Sequence, residues 1–199
     1  MSKLVLYNGP NSPFGRKAKV TAIVHEIQIE EKTIKIYDAD FIDKFNPLRK
    51  IPTLVINNNQ TLIDSDNICL YFDKISKKKT LFNPTNYWEI MSTVSLANGL
   101  MESVLERRME TIRPTNEQSK NFIKKQEIRT LRTIEWLEKN WSNYNTNEIT
   151  MDQIALACAL EYVKYRLSND WSSSCVKLNE WLIEFNKNHF MQNTLPKEN

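Results

Sequence analysis

Two hydrophobic rhythms divide this chain, and the point where one replaces the other constrains its fold more than any other feature. Over the first third, short β-branched runs alternate with helical periods, the pattern of a sheet with helices packed on it. Lys3–Tyr7, KLVLY, reads as a buried strand. Ser12 and Pro13 read as N-cap and first helical residue of a helix carrying Phe14, Ala18, Thr21, Ala22 and Val24 to about Glu26. A second strand is predicted over Lys32–Ile36, a short helix over Ala39–Phe45 stopped by Asn46 and Pro47, and a strand over Thr53–Ile56. Asn57, Asn58 and Asn59 turn the chain toward a hairpin partner at Leu62 and Ile63, because asparagine tolerates the positive φ of tight turns. Ser65 then caps a helix to about Ile75, so the order is β-α-β-α-β-β-α.

Past the run Lys77, Lys78, Lys79 the strand signals stop, which puts a linker near residues 77–84. A long helix follows over Thr85–Thr111, with Ile90, Val94, Ala97, Met101, Val104 and Leu105 on one face, and Pro114 ends the stretch. Thr115 with Gln118 is a capping box for a helix to about Trp141, and Ser142–Glu148 is a polar loop. Thr150 with Gln153 is a second box, with Ile149 and Ile154 as its hydrophobic staple. The helix it opens, IALACALEYV, is apolar nearly all round and must be central. A last amphipathic helix carries Val176, Leu178, Trp181, Leu182 and Phe185. The expected architecture is an α/β domain over residues 1–78 and an all-α domain over residues 84–199.

Composition removes several classes of function. Lys plus Arg number 27 against 24 Asp plus Glu, and a balance of +3 implies neither a nucleic-acid nor a membrane partner. The lysine run, and Lys124, Lys125, Arg129 and Arg132, read as solvated faces. Cys69, Cys158 and Cys175 are odd in number and widely spaced, and His25 and His189 lie far apart, so neither a disulfide framework nor a metal site is expected. No apolar run reaches the ~18 residues of a membrane span and no signal peptide is seen, so a cytoplasmic location is expected. With only Gly9, Gly15 and Gly99, the chain has no GxGxxG, Walker or GxSxG motif.

Three constellations remain, each at a junction between strand and helix or loop and strand. In NSPF, residues 11–14, a hydroxyl stands at a helix amino end, where free N–H groups and the dipole favour an anion. In IPTL, residues 51–54, Pro52 precedes a strand; in LIDS, residues 62–65, Asp64 could pair with an ammonium and Ser65 could hold a carboxylate. Each also has a plain structural reading, as a cap or a strand boundary.

Taken in order, NSPFGRK, FNPLRKIPTL and LIDSDNICLYF resemble the thioredoxin-like half of the cytosolic glutathione transferases. SLANGLMESVLERR followed by RP, TMDQIALA and WLIEFNKNHFMQNTLP are similar to the helical half of a bacterial, serine-type subgroup. The resemblance implies that Ser12 donates to the glutathione sulfur and that Ile51, before a cis Pro52, pairs through its backbone with the cysteinyl part. It further implies that Lys50 reaches the glycyl carboxylate, that Asp64 and Ser65 hold the γ-glutamyl end, and that Phe14 walls the site. The second-substrate pocket would take Tyr7, Asn98, Met101, Leu105 and Arg108. A homodimer is implied by the same resemblance. The chain departs from the pattern at Arg49, where many relatives have glycine, at Asn67 for alanine, at Asn98 for aspartate and at Gln153 for the capping acid.

These residues lead to the expectation of an enzyme that holds glutathione as a thiolate for attack on a small hydrophobic electrophile. Glutathione is then a co-substrate and no metal is needed. A free thiol of pKa ~8.5 is only slightly ionised at neutral pH, and a hydrogen bond to the anion worth roughly 1.5–3 kcal/mol lowers that by about one to two units. Other readings stay open: a non-catalytic binding or regulatory protein resembling the stringent-starvation proteins, or a glutathione-dependent isomerase or peroxidase. Tyr7, at the end of the first strand, is the rival hydroxyl to Ser12.

Overall fold

A computed structural model describes residues 3–140, 148–167 and 170–196. The chain divides into two compact units, one of Met1–Phe82 with His189–Asn199 and the other of Asn83–Asn188.

The first unit is built on a four-stranded mixed sheet of β1 (Leu4–Asn8), β2 (Glu30–Thr33), β3 (Thr53–Ile56) and β4 (Gln60–Ile63) in the order β2-β1-β3-β4. β2 runs parallel to β1, and β3 lies antiparallel to both β1 and β4. Alternation sends Val5, Tyr7 and Val55 to one face, where they pack with Ile42 and against Ile34, Ile36 and Phe45. α1 (Pro13–Val24) packs on α2 (Ser65–Ile75). Ile68, Cys69 and Phe72 of α2 are fully buried.

Local chemistry sets the ends of these elements. Ser12 Oγ caps α1 by accepting the Gly15 amide at 3.2 Å, with Pro13 at the first position. The far end closes as a Schellman turn, Ile27 N–H to Ala22 O and Glu26 N–H to Ile23 O, with Glu26 in the left-handed region at φ 54°. Asn57 and Asn58 both have positive φ and make the hairpin turn, closed by Asn59 N–H on Ile56 O.

Two expected elements moved. The second strand lies over Glu30–Thr33, not Lys32–Ile36, because its register is decided by pairing with β1; Ile34 and Ile36 instead lie past the ladder and pack on the core. The expected short helix resolves into two 3₁₀ turns, Ile36–Asp38 and Asp40–Lys44, since so short a segment gains too few hydrogen bonds to sustain an α-helix.

The second unit contains α3 (Tyr87–Thr111), α4 (Lys120–Lys139), α5 (Met151–Arg166) and α6 (Val176–Phe185). α3 packs against α4 and α5, and α4 against α6. Met151–Leu160 is buried without a break, as the all-round apolar pattern requires. The Thr150 and Gln153 box is present. The Thr115 and Gln118 box is not: Thr115–Glu117 is a 3₁₀ turn, Gln118 Nε2 donates to the Thr111 and Arg113 carbonyls, and Ser119 caps α4 through the Phe122 amide. The expected end of this helix at Trp141 and residues 142–147 of the polar loop lie outside the described residues.

The terminal segment, with a short helix at His189–Gln192, belongs to the first unit and not to the helical half. Arg16 Nη2 donates to Met191 O and Nε to Thr194 Oγ1, both at 3.2 Å, and Phe190 and Met191 are buried. Among the described residues no helix is long and apolar enough to cross a membrane.

Candidate functional site

Strand register gathers the three constellations. Thr53 stands opposite Tyr7 on one side and Ile63 on the other. The chain therefore leaves β1 toward Ser12, enters β3 from Pro52 and leaves β4 toward Asp64 at one end of the sheet. Neighbouring strands are about 4.8 Å apart, so the three junctions span roughly 10 Å.

The β1–α1 junction is held by a buried amide. Asn8 Oδ1 accepts the Gly9 N–H at 2.8 Å, and Asn8 Nδ2 donates to Glu31 Oε1 at 3.1 Å. A Cβ at Gly15 would overlap Asn8 Oδ1 at 1.5 Å, so the glycine leaves the room that the Asn8 side-chain amide occupies. Ser12 is partly exposed at the head of α1, a position of positive partial charge. Its oxygen accepts from Gly15, which leaves its own O–H as a donor. Phe14, in the first turn of α1, is also partly exposed.

The segment before β3 meets this junction. A Cβ at Gly9 would lie 2.5 Å from Ile51 Cδ1 and 3.8 Å from Ser12 Cβ, so Ile51 and Ser12 flank the same point. The Ile51–Pro52 bond is cis. Asn46, almost fully buried, donates Nδ2 to Lys50 O at 2.8 Å and to Thr53 Oγ1 at 2.9 Å, while its Oδ1 accepts the Leu48 N–H. Thr53 Oγ1 also donates to Lys50 O. Asn46 thus clamps the segment that presents Ile51, a role its reading as a helix stop did not suggest. The only trace in the sequence is an asparagine before proline. Lys50 is exposed.

At the third junction Asp64 has φ 73° and caps α2, Oδ1 accepting the Asp66 and Asn67 amides at 2.8 and 3.4 Å. Its carboxylate is exposed, and a non-glycine residue in the left-handed region marks a constrained position. The cap is therefore Asp64 and not Ser65, which is the first residue of the helix and is buried. Behind it, the fully buried Lys17 ammonium pairs with Asp66.

Arg49, the departure from glycine, has φ 49°, the region glycine favours. Its guanidinium forks onto Asp43 with two bonds of 2.6 Å and reaches Asp40 at 2.9 Å. The hydrogen bond to Asp43 raises the Arg49 pKa further and lowers that of Asp43. Asn67 donates Nδ2 to Ile63 O.

The residues expected around a second substrate divide between the units. Tyr7 is packed on β1 with Phe41 and Phe45 at centroid distances of 5.5 and 5.8 Å and is 9% exposed, so its ring is a core group. Within α3, Met101 is fully buried and presents no surface, because it lies on the packed stripe of the helix. Asn98 is partly exposed and Arg108 exposed. Leu105 lines an open groove of about 610 Å³ between α3 and α4, with Met109, Ile112 and Phe122. Among the described residues no group of three or more His, Cys, Asp or Glu side chains stands together as a metal site.

Residues 6–80 match the N-terminal domain of glutathione S-transferases. An uncharacterised GST-like protein of Escherichia coli, YibF, is 28% identical over 160 residues, covering 78% of this chain and 79% of its own. A glutathione transferase family member from Pseudomonas fluorescens, solved with bound glutathione, superposes with a TM-score of 0.91 at 25% identity over 98% of this chain and 100% of its own. A glutathione S-transferase of Methylobacillus flagellatus, also solved with glutathione, gives 0.92 at 24% identity over 98% of this chain and 100% of its own. Residues 6–80 are thus similar to the N-terminal domain of glutathione S-transferases, and the fold is shared end to end with glutathione transferases.

Proposed function

We propose that the protein is a serine-type glutathione transferase, conjugating glutathione to a small hydrophobic electrophile. The observation that carries this reading is the Ser12 hydroxyl, engaged only as acceptor by Gly15, at a helix head beside Ile51. Ser12 O–H donates to the glutathione sulfur and favours the thiolate; it is a donor to an anion and not a base. Ile51 offers its main chain to the cysteinyl part and Lys50 its ammonium to the glycyl carboxylate. The Asp64 carboxylate takes the γ-glutamyl ammonium, and Ser65, at the first turn of α2, takes the γ-glutamyl carboxylate. Phe14 borders the thiol.

The helical unit holds the electrophile in this reading, through exposed or partly exposed side chains such as Arg108 and Asn98. Attack of the thiolate forms a carbon–sulfur bond and expels the leaving group with its electron pair. The reading includes a cytoplasmic homodimer.

Titration with glutathione, followed by ultraviolet thiolate absorption, tests binding and activation together. A bound thiol ionising one to two units below ~8.5 is the expected result. Absence of any thiolate signal at saturating glutathione at neutral pH would sink the proposal.

A further inference from the structure

We propose that Arg16 supplies an uncompensated positive charge to the anion site at the head of α1, held in place by the terminal segment. This rests on the reading of that site as the seat of a glutathione thiolate.

Three cations stand close together on α1, and the protein treats them differently. Lys17 is neutralised by Asp66 of α2. Lys19 is neutralised by Glu31 of β2 at 2.6 Å. Arg16, only 5% exposed, meets neutral oxygens alone: Met191 O and Thr194 Oγ1. Its Nη1 is buried without a partner, and among the described residues no carboxylate pairs with it. Of the other charged groups named at the three junctions and in the terminal segment, Asp64 faces the amides of α2, Lys50 is exposed, and His189 opens the short terminal helix.

A guanidinium cannot shed its proton, and burying one without a counter-charge is costly. The terminal segment nonetheless holds it buried, with only dipolar oxygens for company. Such an arrangement fits a site where the ligand brings the anion. The Arg16 amide donates to Ser12 O at 2.9 Å, so the backbone that carries this side chain lies one helical turn, about 6 Å of rise, from the serine. At an effective dielectric of about 20, a unit charge about 10 Å from a thiolate lowers its pKa by about one unit. The terminal segment shields Arg16 from water, which would otherwise screen the charge.

The deciding measurement is the thiolate titration of bound glutathione in the full chain and four variants. Arg16→Gln should raise the bound thiol pKa by about one unit, and Arg16→Lys should restore most of that shift. Thr194→Glu places a carboxylate beside the guanidinium and should also raise it, whereas Thr194→Val should not. Wild-type values in both Arg16→Gln and Thr194→Glu reduce Arg16 to a brace for the terminal segment and overturn the proposal. If Arg16→Gln does not fold, the contrast between Thr194→Glu and Thr194→Val decides alone. A wild-type bound thiol that titrates like free glutathione would instead defeat the thiolate reading itself, and this inference with it.

Discussion

Ser12 Oγ accepts the Gly15 amide, which leaves its O–H as a donor, so its reading as a helix cap and its proposed role as a donor to sulfur do not compete. Tyr7 is placed otherwise, its ring packed between Phe41 and Phe45 on the sheet face that carries Ile42. Ser12→Ala should therefore raise the pKa of bound glutathione by about one to two units and lower turnover at neutral pH, with much less loss of affinity. Tyr7→Phe should leave that pKa within a few tenths of a unit; thiolate titrations showing the reverse pattern would transfer the role to Tyr7. Ser12 was legible because a hydroxyl before proline announces a helix head. Asn46 was not, because its bonds to Lys50 O and Thr53 Oγ1 exist only once the loop has closed. Arg49 lies between these cases: its substitution for glycine was visible, but its pairing with Asp40 and Asp43 was not.

Among the elements, α5 shows most directly how local sequence and packing combine. The Thr150 and Gln153 box satisfies amides at the start of a helix whose first ten residues are buried, where water cannot replace a lost partner. Thr150→Ala should cost about 0.5–2 kcal/mol in urea unfolding while the folded protein keeps its turnover in the proposed reaction. A large fall in turnover at unchanged stability would point to a role in the site instead. α4 shows the limit of such motifs. Thr115 and Gln118 have the right spacing, yet Gln118 is taken by the Thr111 and Arg113 carbonyls and Ser119 caps the helix. Spacing names candidate caps, and competition among nearby carbonyls and amides chooses between them.

At the scale of the molecule, one buried histidine ties the first unit to the segment that leaves it. His25 Nε2 lies 3.1 Å from Asp73 Oδ1, and Asp73 also accepts from Thr80 Oγ1 and the Leu81 amide, both at 2.7 Å. Desolvation lowers the His25 pKa below its usual value, against the opposing pull of Asp73. The unfolded chain then binds more protons as the pH drops below about 6.5, so stability is full above that value and is lost as the pH falls through the folded pKa. His25→Asn should flatten this part of the pH–stability curve; thermal melts from pH 7 to 5 that slope equally in both proteins would remove His25 as the cause, since groups such as Asp152 are common to both. The two-part architecture was legible from local sequence, because strand and helix periods are properties of adjacent residues. The three junctions were legible too, because caps and prolines act over three or four positions. Three outcomes needed contacts across the fold: the terminal segment packs with the first unit, Arg16 meets no carboxylate among the described residues while Lys17 and Lys19 do, and β2 begins at Glu30. The reason is physical: these outcomes depend on which groups, distant in the chain, lie within hydrogen-bonding reach once the sheet has closed.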